Sequence, residues 1–296
     1  MKVVKFGGSS LASGNSVDKA LSIINADPER QVVVVSAPGK RTEDDIKVTD
    51  LMITYAYMSL RSNNYQDIAT RIFKRYELIA QYFELPEAEL EDIKQLLLTL
   101  PKLSYPNNDY RMATFKAHGE RLNAILIAKI LNHQGIKARF LEPKDVGLIV
   151  TGTSNNAEVN PETYVNLKRI KAAKDEKIIF PGFYGITPSG HIATFSRGGS
   201  DITGAILARG LNADLYENFT DVDAIFSANP HIVDQPKPIK RMTYQEMREL
   251  SYAGFSVFHD EALIPAIQGE IPVNVKNTNA PEKSGTMIVP EDGFIP

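Results

Sequence analysis

Two short stretches of this sequence carry residue types that handle anions. In Lys5-Phe-Gly-Gly-Ser-Ser10 a lysine and two glycines close an apolar run. Glycine lets a backbone approach a ligand closely, and a turn of N–H groups beside a helix N-terminus attracts negative charge, to which Lys5 adds a formal positive charge. Taken alone, the stretch serves equally well as an ordinary strand-to-helix turn with a solvated lysine. Arg197-Gly-Gly-Ser-Asp201 is the stronger signal. An arginine fork suits a carboxylate or phosphate, the glycines bare their N–H groups, and Asp201 near a helix start can cap, orient a lysine or bind an amine. A plain cap at Ser200 or Asp201 needs neither an arginine nor two glycines, which favours the chemical reading.

Glu120 follows Gly119 inside a helical pattern, where glycine costs about 1 kcal/mol relative to alanine. A helix that tolerates this often needs a close approach on that face, while Glu120 taken alone reads as a solvated helix residue rather than a ligand. Gly39-Lys40-Arg41-Thr42 lacks the spacing of a P-loop. Thr220-Asp221 precedes a loop with Phe226 and Pro230 that could seat a base and ribose, a plain turn being equally consistent. Neither a Ser-His-Asp arrangement nor a Gly-x-Gly-x-x-Gly fingerprint is evident, so hydrolase and dehydrogenase chemistry is disfavoured.

These residues need elements to hold them. Val3, Val4 and Phe6 read as a short buried strand, and the spacing of Val17, Ala20, Leu21 and Ile24 predicts a helix capped by Asn15 or Ser16. The run from Gln31 to Ala37, with four successive valines, has the pattern of a strand buried on both faces of a parallel sheet. The loop from Ala37 to Thr42 then falls at a strand's carboxyl end, where open α/β sheets place ligands. Helical spacing covers 44–60, 66–83 and 87–100, and returns over 111–133 around Glu120. Strands are predicted at 138–141, 148–151, 177–180 and 191–195, with a helix from Pro161 to Ala173 among them and a hairpin turn at Pro188-Ser-Gly190. The second glycine loop opens a helix over 202–211. A strand over 214–220, a proline-rich loop over 221–238, helices over 243–253 and 260–268, and strands over 272–276 and 286–289 follow. The two glycine loops are expected to face each other across a cleft.

The 296 residues suffice for one large α/β domain or two lobes sharing a sheet. A net charge of −3, with scattered Lys and Arg, gives no nucleic-acid surface. The absence of cysteine excludes disulfides and thiolate chemistry, and five scattered histidines speak against a zinc site. The sequence shows neither a signal-peptide pattern nor a long apolar span, so a cytoplasmic protein with small-molecule or protein partners is expected, with no membrane contact.

In this order, Lys5-Phe-Gly-Gly-Ser-Ser10, Val35-Ser-Ala37 with Thr42, His118-Gly-Glu120, Ser196-Arg-Gly-Gly-Ser-Asp201 and Thr220-Asp221-Val222 resemble the aspartokinases of the amino acid kinase family. The resemblance covers residues 1 to about 289, and its first and fourth motifs are specific together. It implies a three-layer αβα sandwich around a mainly parallel central sheet. It also implies an amino-acid lobe over 1–200, with a helical insertion at about 60–115, and a nucleotide lobe over 201–296. The implied reaction is transfer of the γ-phosphoryl group of ATP, with Mg2+ carried on the nucleotide, to the β-carboxylate of L-aspartate, in lysine and threonine biosynthesis. Lys5 and Asp201 would be catalytic. Gly7, Gly8 and Ser9 would contact the transferring group, and Ser36, Thr42, Glu120, Arg197 and Ser200 would line the aspartate pocket. Thr220, Asp221, Phe226, Asn229, Pro230, His231 and Ser256 would lie along the nucleotide. A homodimer is implied, and no metal cage on the protein itself.

Phosphoryl transfer between two anions needs positioning and positive charge more than covalent catalysis, which agrees with the residues read alone. Three positions depart from the family pattern. Phe226 stands where tyrosine is common, His231 follows Asn229-Pro230 where Asp-Pro-Arg is frequent, and Ser256 occupies the place of a second phosphate-binding lysine, for which Lys240 or Lys276 are candidate substitutes. The sequence reaches Pro296 without ACT-type regulatory domains, so no amino-acid feedback through such domains is expected of this chain. Two rivals stand beside this expectation: a family member acting on glutamate, acetylglutamate or carbamate, and a non-catalytic nucleotide-binding regulatory protein, suggested by Ser256 and His231.

Overall fold

Four of the five residues of the first strand, β1 (Lys2–Phe6), are buried, because the strand lies inside the sheet with a helical layer on each face. The computed structural model describes residues 1–61, 65–173, 175–196, 198–227, 233, 236–252 and 260–291. After β1 come α1 (Gly14–Asn25), β2 (Arg30–Val35) and a helical excursion of α2 (Val48–Arg61), α3 (Gln66–Tyr82), α4 (Glu91–Thr99) and the long α5 (Asn108–His133). The chain continues through β3 (Ala138–Phe140), α6 (Pro143–Val146), the hairpin β4 (Val150–Thr153) and β5 (Asn156–Val159), and α7 (Glu162–Leu167). Next are β6 (Lys177–Pro181), the hairpin β7 (Tyr184–Ile186) and β8 (Ile192–Thr194), α8 (Gly199–Gly210) and β9 (Leu215–Thr220). The last elements are β10 (Arg241–Thr243), α9 (Tyr244–Tyr252), α10 (Ile264–Gln268), β11 (Val273–Asn277) and β12 (Thr286–Val289).

The main sheet has eight strands in the order β10-β12-β11-β9-β1-β2-β6-β3, parallel except where β11 meets β12. Alternation along the strands sorts the core into two layers. Val4, Phe6, Val33 and Val35 pack with α1 to α5, whereas Val3, Val32, Val34 and Phe180 pack with α7, α8 and α10. This is the expected αβα sandwich around a mainly parallel sheet.

Several local expectations are corrected. Ser13, not Asn15 or Ser16, caps α1, its hydroxyl accepting from the Ser16 amide at 3.3 Å. β5, β7 and β10 were not expected from the sequence: Asn156–Val159 and Arg241–Thr243 carry too few apolar residues to stand out, and Tyr184–Ile186 is interrupted by Gly185. α7 ends after Leu167, well before Ala173, in turns that bring the chain back toward β6. Apolar spacing does not encode where the chain must turn back.

Candidate active site

β1 is the pivot of the sheet. Strand order runs outward from it through β2 on one side and β9 on the other, and open α/β sheets leave a ligand crevice at such a reversal, beyond the strands' carboxyl ends. Phe6 turns toward α1 and α5, so Lys5, one residue earlier, turns toward α8. Its Nζ lies 2.7 Å from Oδ1 of Asp201, in the first turn of α8, and the lysine is buried. Asn218, in register with Lys5 on β9, donates from Nδ2 to the same Asp201 oxygen at 2.7 Å and accepts from Lys5 at 3.4 Å. The Tyr216 hydroxyl donates to the Asp201 carbonyl at 3.1 Å. The sequence reading missed both; its one signal was a polar Asn218 inside a buried strand.

The glycine turn after β1 is shaped by close backbone contacts. The Gly39 amide donates to the Gly8 carbonyl at 2.8 Å, and a Cβ on Gly39 would sit 2.6 Å from the Gly8 carbonyl carbon. A Cβ on Gly7 would stand 3.5 Å from Lys5 Nζ, so the bare Cα leaves the ammonium uncovered on that side. The Gly7 amide donates to the Phe219 carbonyl at 3.3 Å. The Gly8 and Ser9 amides have no acceptor among the described residues. Across the cleft, Gly198 is left-handed at φ 61 and α8 has no side-chain cap, so its first-turn amides stay open and Ser200 and Asp201 are not merely caps. Ser200 Oγ packs over Gly182, where a Cβ would lie 2.4 Å away.

A cavity of about 400 Å3 opens beside this turn, bounded by Gly8, Ser9, Ser36 to Lys40, Lys47, Thr49, Glu120 and Asp221. Glu120 is 5 % exposed and its Oε2 has no partner among the described residues. Burial pushes its carboxyl up to about 8, against the opposing pull of the Ala37 and Glu120 amides and of Lys116. Gly119 supplies the close approach its helix position implied, since a Cβ there would lie 2.9 Å from Ala37 Cβ. Asn123, one turn on, holds the Ser36 carbonyl at 2.7 Å. His118 turns elsewhere: Nε2 accepts from Arg121 at 3.0 Å, Nδ1 therefore donates to the Thr114 carbonyl at 2.8 Å, and burial pushes the ring down to about 3. It is a neutral bracing group. A larger groove at the β3 edge, about 630 Å3 and lined by Arg139 and Lys144, contains none of the expected site residues.

Thr42 is exposed and outside the cavity lining, which Lys47 and Thr49 provide instead. The Thr220 hydroxyl donates to Asp221 at 3.2 Å, and Phe226 is half-buried in a bridge with Pro238. Arg197, Asn229, Pro230, His231 and Ser256 lie outside the described residues. Lys276 does not approach Lys5: it pairs with Phe219, sits 5.8 Å over that ring and faces the opposite side of the sheet. Lys240 is exposed.

Residues 1–277 match the amino acid kinase family. The sequence is 54 % identical over 289 residues to Aspartokinase 3 of Bacillus subtilis (strain 168), covering 98 % of this chain and 63 % of that protein. It is 31 % identical over 300 residues to the chloroplastic Aspartokinase 1 of Arabidopsis thaliana, covering 97 % of this chain and 51 % of that one. The chain thus spans 63 % or less of the length of these relatives. Among solved structures, Clostridium acetobutylicum aspartate kinase superposes with a TM-score of 0.82 at 36 % identity, covering all of this chain and 64 % of that one. E. coli aspartokinase III in complex with aspartate and ADP superposes with a TM-score of 0.85 at 25 % identity, covering 98 % of this chain and 65 % of that one.

Proposed function

This chain belongs to the amino acid kinase family, and we propose that it transfers the γ-phosphoryl group of ATP to the β-carboxylate of L-aspartate, giving 4-phospho-L-aspartate. The observation that carries this reading is the buried Lys5–Asp201 pair at the carboxyl end of the central strand, between an open glycine turn and an uncapped helix N-terminus. A relative named for this activity, 54 % identical, and a structural neighbour holding aspartate and ADP support it.

Charge develops on the transferring group and must be met by fixed positive groups. Lys5 meets it, held in place by Asp201 and Asn218, while the free Gly8 and Ser9 amides and the first turn of α8 add oriented dipoles. Glu120, which lines the cavity and has an oxygen with no partner among the described residues, takes the substrate ammonium. Ser36, Ser200 and Arg197 serve the substrate's other end, and Thr220, Asp221, Phe226 and the 229–231 stretch serve the nucleotide. Both contacts on Asp201 fall on Oδ1. With Asp221 at the rim, the cleft offers carboxylate oxygens, the donors that suit magnesium, and the ion bound to the nucleotide would neutralise phosphate charge. The proposed lobes, 1–200 for the amino acid and 201–296 for the nucleotide, meet across this cleft, and the protein works as a cytoplasmic homodimer.

A coupled ADP-release assay with aspartate, glutamate, acetylglutamate and carbamate side by side tests the reading. Aspartate is expected to be turned over far faster than the others. Comparable turnover of glutamate, or ATP binding without turnover of any acid, overturns it.

A further inference from the structure

Two consecutive residues of α3 reach opposite walls of the cavity from behind. Arg75 is 5 % exposed and Tyr76 is fully buried. Arg75 donates from Nη2 to the Gly39 carbonyl at 2.5 Å and from Nη1 to the Ile46 carbonyl at 2.7 Å, and its Nη1 lies 3.3 Å from Asp45. Those carbonyls stand at the two ends of the loop that lines the cavity with Lys40 and leads to Lys47 and Thr49. Asp45 draws the same loop closed by accepting from the Arg41 amide at 2.9 Å and from its guanidinium at 2.7 Å. Tyr76 donates to the Gly119 carbonyl at 2.9 Å, one residue before Glu120.

This arrangement is not what packing alone would select. A buried guanidinium is costly, and an aliphatic side chain would fill the space between α3 and its neighbours more cheaply. Among the described residues Arg75 Nε also has no partner, so its burial is not compensated at every atom. What the fork supplies, and no aliphatic chain can, is a fixed spacing between two carbonyls of one loop. Since Gly39 in turn donates to Gly8, that spacing reaches the glycine turn beside Lys5.

We infer that Arg75 and Tyr76 are positioning residues for the candidate acceptor pocket, Arg75 setting the loop of residues 37–47 and Tyr76 setting the helix turn that carries Glu120. Neither touches the cavity. The pocket's identity as the aspartate site rests on the function proposed above; the positioning claim has a readout of its own.

The test compares the parent protein with Arg75→Lys and Tyr76→Phe. Hydrogen exchange is followed at the Gly39 and Val48 amides, which bond to Gly8 and Pro38, and KM for aspartate and ATP is measured beside kcat. Arg75→Lys keeps the charge but loses the planar fork, so it does not hold the two carbonyls at a fixed spacing. Faster exchange confined to the loop, with KM for aspartate raised about tenfold and kcat changed much less, is the expected result; misplacement of about 1 Å at a site can cost more than this. Tyr76→Phe removes one hydrogen bond without a change of shape and is expected to raise KM for aspartate several-fold with loop exchange unchanged. It decides the matter should Arg75→Lys not fold. Unchanged exchange and KM in both variants, or loosened exchange with unaltered KM, overturns the inference. A parent inactive on aspartate refutes the proposed function separately, and exchange alone then judges whether Arg75 holds the loop.

Discussion

Lys5 and Asp201 meet at 2.7 Å because strand alternation points one toward the layer whose first helical turn carries the other. Neither is free to wander: Asn218 bonds to both, and a Cβ on Gly7 would come within 3.5 Å of the ammonium. Lys5→Met is therefore expected to lower kcat by about 10² to 10³, the range seen when one preorganised charge-stabilising donor is removed. Lys5→Arg restores charge but not shape, and is expected to remain well below the parent. Steady-state kinetics with ATP binding measured alongside checks both; a Lys5→Met enzyme within about threefold of the parent contradicts the assigned role.

Glu120 makes a prediction about pH. Burial holds its carboxyl at about 8, above an ordinary value of 4.5. Between those values the folded protein keeps a proton that the unfolded chain releases, so this group erodes stability as pH rises from about 4.5 to about 8; below that window it costs nothing, and above it the full penalty remains without further change. Glu120→Gln should flatten that part of the profile in urea titrations at pH 5 to 9. In the parent, KM for aspartate should fall as pH rises toward 8, because a carboxylate rather than a carboxylic acid binds an ammonium. A KM that is flat over the same range removes Glu120 from amine recognition.

Gly119 tests the close approach between α5 and the loop after β2. Alanine is ordinarily better than glycine inside a helix by about 1 kcal/mol. Here its Cβ would lie 2.9 Å from Ala37 Cβ, and overpacking of this kind costs about 1–3 kcal/mol. Gly119→Ala should therefore destabilise the protein, against the helix-propensity rule, and Ala37→Gly in the same chain should relieve the contact. Denaturant midpoints of the two singles and the double give the coupling; additive effects contradict it.

How much of this the sequence discloses depends on distance along the chain. Lys5 with Gly7 and Gly8, Glu120 beside Gly119, and Asp201 in its glycine loop were legible because the chemistry-bearing type and the backbone freedom it needs are neighbours. Asn218 and Tyr216 were not, since only the pairing of β9 with β1 brings them to Lys5. Lys47 and Thr49 replace Thr42 at the cavity for a similar reason: Arg75 fixes how the loop folds, from a helix whose apolar spacing marks it only as packing. The central strands were readable because both faces are buried, and β10 was not, because Met242 is its one apolar residue.

Arg30 and Glu217 make the last prediction, at the opposite end of the central strands. They form a two-pronged pair at 2.6 and 2.9 Å, flanking β1 from β2 and β9, and Arg30 also donates to the Ile23 carbonyl at 2.6 Å. Both side chains are nearly enclosed, at 11 % and 4 % exposure, so removal of one partner strands a charge in the core. Arg30→Met alone should cost about 3–5 kcal/mol, whereas a buried pair replaced on both sides by apolar residues is often close to neutral. The double variant Arg30→Met with Glu217→Leu should accordingly recover most of that loss in chemical denaturation. Recovery will not be complete, because the Ile23 carbonyl loses its donor and a buried acceptor left unsatisfied costs about 1–3 kcal/mol. A double variant no more stable than Arg30→Met would mean that Glu217 is not stranded by the loss of Arg30, its charge being met by Lys2 and Lys276.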